Sequence, residues 1–154
     1  MAHYSVRSAT VDDIDTLVRH RIGMFTDMGV QVDDAVAGAF RHWLAEMMPP
    51  GSYRGWLVES DNSEVVAGGG LTVLPWPPGP RSTKAQLAFV YNVYTEPTHR
   101  RRGHGRLIMS AIHAWCRDAG VHSVALNASR FGLSLYRSMG YQEALSPMMF
   151  LGLE

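Results

Sequence analysis

The period of apolar positions changes several times along the chain, and each change marks an element. In His3–Ser8, Tyr4 and Val6 alternate with polar residues, which predicts a strand. Thr10 opens a helix, with Asp13 three residues on in a Thr-x-x-Asp start. Ile14, Val18, Phe25 and Met28 then fall on one helical face, and Arg21 lies on that same face. After Met28-Gly29-Val30 the pattern breaks. Asp33-Asp34 begins a second helix carrying Val36, Phe40, Trp43 and Met47, and Pro49-Pro50-Gly51 ends it. Tyr53–Glu59 and Glu64–Leu74 read as a strand pair around a turn at Ser60–Ser63, and Gly68-Gly69-Gly70 marks a bulge or a close backbone approach.

Pro75–Pro80 (PWPPGP) is a stiff loop. Ala85–Thr95 is almost continuously apolar and aromatic, as a strand covered on both faces must be, and Pro97 stops it. A helix over Gly103–Ala119, a strand over Val121–Leu126 and a helix over Phe131–Met139 follow, the last ended by Gly140. Tyr141–Leu153 supplies one or two closing strands. The order β-α-α-β-β-β-α-β-α-β predicts one α/β domain over 1–154, a mixed sheet with helices on both faces.

Composition narrows the function. The chain has 154 residues, 46% of them hydrophobic and 18% charged, enough for a core and too apolar for disorder. Fourteen Lys and Arg balance fourteen Asp and Glu, so bulk attraction to nucleic acid is not expected. No stretch approaches the roughly 18 apolar residues of a membrane span, and no apolar leader precedes the first strand, so a cytoplasmic, non-membrane domain is expected. Cys116 is the only cysteine, which excludes an intrachain disulfide; mid-helix beside Trp115, it reads as a structural thiol. The histidines share no ligand spacing. They read as surface or anion-contacting residues, with no metal expected.

Chemistry concentrates in Thr95–Ile108 (TEPTHRRRGHGRLI), where a buried strand ends, a turn follows and a helix starts at glycines. Unpaired N–H groups and the positive dipole end make such a start an anion site. Glycines let oxygens approach the backbone, and Arg100, Arg101, Arg102 and Arg106 add charge. A Rossmann site fits poorly because Ile108 stands where the third glycine is needed. The Gly-Lys-Ser/Thr of a phosphate-binding loop is absent.

Pro97-Thr98-His99-Arg100-Arg101-Arg102-Gly103-His104-Gly105 resembles motif A of the GNAT superfamily of acetyl-CoA-dependent N-acyltransferases. Leu135-Tyr136 with Gly140-Tyr141 resembles its motif B. The two motifs occur in the family's order and spacing, so the resemblance covers essentially the whole chain. It implies that the two central parallel strands splay into a V. It also implies that acetyl-CoA places its pyrophosphate on backbone N–H groups from Arg101 through Arg106, with Arg102, Gly103, His104 and Gly105 between, and Arg100 at the family's Gln/Arg position. The pantetheine arm would pair with Val93 and Thr95, and Asn127 or Ser129 would bond it or the acceptor. Tyr136 would protonate the leaving thiolate. Phe89 stands where some relatives carry Glu or His, so deprotonation of the amine would run through a water oriented by Tyr91, Glu96 or Asp27.

On the acceptor side, Arg21 either pairs with Asp27 or another acid, or holds a carboxylate or phosphate of the acceptor. Phe25, Trp76, Met24 and Met28 would enclose a small amine, and Asn92 interrupts the apolar strand at a plausible bulge. The implied reaction is direct acetyl transfer to a small-molecule amine in a ternary complex. A non-catalytic acyl-CoA sensor and an N-terminal peptide acetyltransferase are the alternatives. By the same resemblance, Met148–Leu151 is an apolar edge for a homodimer.

Overall fold

The computed structural model describes residues 2–153, so the two end residues of the expected 1–154 domain lie outside it. One five-stranded sheet organises them, in the order β1 (Tyr4–Ser8), β2 (Tyr53–Ser60), β3 (Val65–Pro75), β4 (Gln86–Thr95), β5 (Val124–Leu126). The first three pairings are antiparallel, and β4 to β5 is parallel. This is the mixed sheet expected from hairpins followed by a βαβ unit.

Helices α1 (Ile14–Asp27) and α2 (Asp34–Met47) pack on one face and α3 (His104–Ala119) on the other. Local chemistry sets their starts. The Thr10 hydroxyl accepts from the Asp12 N–H at 3.3 Å while the Asp13 carboxylate accepts from the Thr10 N–H at 2.8 Å. Asp33 caps α2 by accepting from the Val36 N–H at 3.0 Å. Leu17, Val18, Leu44, Tyr53 and Leu57 form the core beneath α1 and α2. Ile108, Met109, Ile112 and Cys116 of α3 pack against Val58, Val66, Leu71 and Val90. The buried stripe of α3 therefore runs through His104, Ile108, Ile112 and Cys116, and Leu107 is exposed.

Glycines bring the layers together. At Gly69 a Cβ would stand 2.7 Å from Ile108 Cγ2, so α3 sits close on the β3 backbone. At Gly70 it would collide with the Tyr53 hydroxyl and lie 2.6 Å from the Arg54 carbonyl oxygen. The bulge expected here is present: Gly70 faces Tyr91 and Gly68 faces Tyr94, so Gly69 alone opposes both Asn92 and Val93. Asn92 holds φ at 60°, a conformation that asparagine tolerates better than most residues.

Three expectations need correction. Residues 141–153 form no strand. A strand exists through its ladder partner, and β5, only three residues long, gives these residues none. Leu145, Met149, Phe150, Leu151 and Leu153 are exposed instead. In consequence β5 is an edge strand of the described sheet, so the splay lies between a central and an edge strand rather than between two central ones. The final helix, α4, is also shorter than expected, Leu133–Ser138.

Replacing Gly70 by alanine overpacks the Tyr53–Arg54 contact and is expected to cost about 2 kcal/mol. For a domain of this size that is a fall in Tm of roughly 4–8 °C by calorimetry. An unchanged Tm would contradict the close-approach account.

Candidate active site

Strands β4 and β5 pair only through Ala88–Val124, Phe89–Ala125 and Val90–Leu126. Beyond Val90 the two chains part, and the β4 edge that faced β5 is left without a ladder partner from Tyr91 to Thr95. The opening leads into a groove of about 790 Å³. One wall is Val93, Tyr94 and Thr95, and the other is built by Ser129, Phe131, Gly132, Leu135 and Tyr136. Arg101, Gly103, His104, Gly105 and Arg106 close one end, and Met24, Asp27 and Met28 form a lip.

The closing turn is shaped for an anion. Arg101 and Gly103 both take positive φ, 62° and 84°. Alternation of left-handed residues with their neighbours turns successive N–H groups into one concavity. Gly103 is the N-cap of α3 and offers no side-chain cap, so the first N–H groups of the helix remain open at the dipole's positive end.

The arginines of the turn divide their roles. Arg100 donates to Asp27 Oδ2 at 2.6 Å and to the Thr95 carbonyl at 3.0 Å, and it lies over the Tyr94 ring. It fastens the end of β4 to α1. Of the two alternatives for Arg21, this pairing disfavours a bridge to Asp27, which is taken by Arg100. Arg102 turns toward the Tyr4 hydroxyl at 3.3 Å and does not line the groove. Arg106 lines it and donates to Ser138 Oγ at 2.6 Å, which ties α3 to α4.

Tyr136 lines the groove from α4, with a buried side chain. Burial pushes its phenol up to about 12, so the group stays protonated over the whole working range of pH. Its ring meets Tyr141 edge-on at 5.7 Å.

The remaining candidates are scattered. Tyr91 is on the α1–α2 side, stacked on Phe89 and accepting from Thr72 Oγ1 at 3.2 Å. Glu96 is no free strand-end charge: Arg19 donates to it at 2.7 Å and His20 Nε2 lies 3.2 Å away. Burial opposes its ionisation, but Arg19 and His20 outweigh that and hold the carboxyl below its usual range. Ser129 reaches the groove and Asn127 does not. Trp76 is half exposed in its loop and lines no part of the groove, nor does Phe25. Arg21 and Asn92 meet each other on the α1–α2 side, where Arg21 Nη1 donates to Asn92 Oδ1 at 2.6 Å.

Two of the histidines read as surface or anion-contacting residues are buried. His20 is 1% exposed and His104 is 2% exposed. The helical period carried the signal for His104, since Ile108 and Ile112 follow at steps of four on the buried face. His20 offered no such signal, because its partner Glu96 lies 76 residues away. Neither ring nitrogen of His104 has a hydrogen-bond partner among the described residues, and the ring meets Tyr4 edge-on at 4.3 Å. Cys116 is buried, and burial raises its thiol. Among the described residues, no three His, Cys, Asp or Glu side chains come together as a metal ligand set. No described helix is long and apolar enough to cross a membrane.

The fold is one that the comparisons share. The sequence matches the family model of the acetyltransferase (GNAT) family over residues 18–141. The chain belongs to the GNAT family. Among solved structures, a GCN5-related N-acetyltransferase from Ralstonia eutropha JMP134 superposes with TM-score 0.87 at 31% identity, over 97% of this chain and 99% of that one. A predicted acetyltransferase from Clostridium acetobutylicum, solved with acetyl-CoA, gives TM-score 0.88 at 21% identity, covering 97% and 96%. The aminoglycoside N-acetyltransferase AAC(6')-Iy, solved with CoA, gives 0.78 at 12%, covering 99% and 96%. At these last two identities the likeness is one of fold. No curated protein matches the chain in sequence.

Burial lowers the pKa of His20, His104 and His113 in this GNAT protein, against an ordinary value of 6.5. Their neutral forms are favoured in the folded state, so the unfolded chain takes up protons first as pH falls. Stability is full above about pH 6.5 and declines below it. The urea midpoint is expected to drop between about pH 7.5 and pH 5.5, and His104→Leu should flatten part of that slope. A midpoint independent of pH over this range would contradict the buried-neutral assignment.

Proposed function

We propose that this GNAT protein is an N-acetyltransferase that moves the acetyl group of acetyl-CoA directly to a primary amine of a small molecule. The observation that carries the reading is one groove joining the anion turn at Arg101–Arg106 to the unpaired edge of β4 and the protonated Tyr136. The residues fit the co-substrate at three points: open N–H groups for a pyrophosphate, a free strand edge for an amide-bearing arm, and a phenol where a thiolate would leave. The chain's fold-level likeness to structures solved with acetyl-CoA and with CoA supports this reading.

When bound, acetyl-CoA supplies a thioester that an amine attacks within a ternary complex. Backbone N–H groups from Arg101 through Arg106, with the Arg101 and Arg106 side chains, hold the pyrophosphate. Arg102 contributes backbone only, and Arg100 shapes the turn by bridging Thr95 and Asp27. The free edge at Val93 and Thr95 orients the pantetheine arm, and the edge donor near Val93 polarises the thioester carbonyl. Ser129 is the better-placed contact from the facing wall. Alignment of two bound reactants supplies much of the rate.

Tyr136 donates its proton to the departing thiolate. Neither carboxylate near the parted strand stands free to receive the amine's proton, since Glu96 is paired with Arg19 and His20 and Asp27 with Arg100. That proton leaves through water, with Tyr91 the orienting group nearest the β4 bulge. Residues 1–154 serve as one catalytic domain in this reading.

Tyr136→Phe is expected to lower kcat about 10²- to 10³-fold in thiol-release kinetics while leaving acetyl-CoA affinity within about twofold. An unchanged kcat would remove the tyrosine from the chemistry. The kcat/KM of the unaltered protein should climb with pH as the acceptor amine deprotonates and show no fall up to about pH 10, because Tyr136 remains protonated.

A further inference from the structure

Arg21 is the unusual cation of this chain. Five other arginines find carboxylates: Arg7 has Asp13 and Glu59, Arg19 has Glu96, Arg100 has Asp27, Arg41 has Asp15, and Arg137 has Glu143; the remaining seven, unlike Arg21, are exposed to solvent. Arg21 is less exposed than Arg19, its neighbour on α1, yet no described carboxylate lies within ion-pair distance of it. Its one hydrogen bond goes to a neutral group, Asn92 Oδ1, at 2.6 Å. A guanidinium carries five N–H donors, so most of its capacity is unspent.

A half-buried charge without a counter-ion is disfavoured, and a fold retains it where something else compensates. Part of the compensation is aromatic. The guanidinium carbon lies 5.0 Å from the Phe25 ring centroid and 4.8 Å from that of Phe40. These faces fix its plane and leave its edge to be met by another group. The position is rigid from the other side as well. Asn92 Nδ2 donates to the Tyr53 hydroxyl at 3.2 Å, and Asn92 itself is held at positive φ in the β4 bulge. The charged edge is thus fixed one residue before Val93, at the point where the groove's strand parts from its neighbour.

We infer that Arg21 is a specificity-determining residue that binds a carboxylate on the acceptor, making the substrate an amine that carries an acid group. The inference rests on the acetyl-transfer reading for the word acceptor, but the binding site itself does not. A planar carboxylate matches the fork of a fixed guanidinium through two parallel hydrogen bonds. One isolated cation balances one negative charge, whereas a phosphate dianion calls for more positive charge than this face holds.

The test uses the full chain and needs no turnover. N-acetyl derivatives of the twenty common amino acids, their primary amides and the matching phosphonates are titrated by calorimetry, with and without CoA. At least one acid should bind about tenfold to a hundredfold tighter than its own amide. Arg21→Gln should bring acid and amide within about threefold of each other, and Arg21→Lys should restore part of the gap. Circular dichroism confirms that each variant folds, and the acid-to-amide comparison in the unaltered protein stands even if one does not. Equal binding of acid and amide, a blank panel, a phosphonate bound tighter than its carboxylate, or equal loss of both by Arg21→Gln would each overturn the inference. If CoA fails to bind while the Arg21-dependent contrast holds, the acetyl-transfer reading falls and the carboxylate site remains.

Discussion

Gly69 of β3 opposes two residues of β4, Asn92 and Val93, and most of the functional geometry follows from that mismatch. The extra residue forces Asn92 to positive φ and bends β4. Its ladder with β5 ends at Val90, and five residues of strand edge are left open. An open edge is ordinarily a hazard for a sheet. Here it is one wall of the groove. The same bulge puts Asn92 on the α1–α2 side, where it meets Arg21 and Tyr53. One backbone irregularity therefore builds both the proposed co-substrate side and the proposed acceptor side.

The bulge survives because the surrounding packing tolerates no simpler register. Tyr53, 1% exposed, presses its hydroxyl onto Gly70, and Ile108 presses on Gly69 from the opposite face. Arg100 pins the outgoing end of β4 to α1 through Asp27, and Arg19 with His20 pins Glu96 just beyond it. These contacts are polar and span seventy or more residues of sequence. They fix where the strand ends and hence where α3 begins its exposed N–H groups.

Much of this was legible in residue order. The apolar run of β4, the glycine triplet of β3, the Thr10–Asp13 start and the glycine-led entry to α3 each carry local physics, so each appears where the pattern places it. The polarity of Asn92 marked the bulge. Partnerships between distant residues were not legible: Asp27 with Arg100, Glu96 with His20, and Arg21 with Asn92 depend on packing that no local pattern encodes. Histidine deepens this, since one side chain serves as surface base or buried ring depending on neighbours. The apolar run of the C-terminal stretch reads as strand, yet a strand needs a ladder, and β5 is too short to offer one to residues 141–153.

The central claim is that the turn at Arg101–Arg106 and the open edge of β4 form one site for CoA. Thermal unfolding at fixed protein concentration, with CoA, acetyl-CoA or NADH, tests it most directly. At one hundred times its dissociation constant a ligand stabilises by about 2.7 kcal/mol, a rise in Tm of roughly 5–11 °C for a domain of this size. The account predicts that rise with CoA and acetyl-CoA and none with NADH. No rise with either CoA species would contradict it.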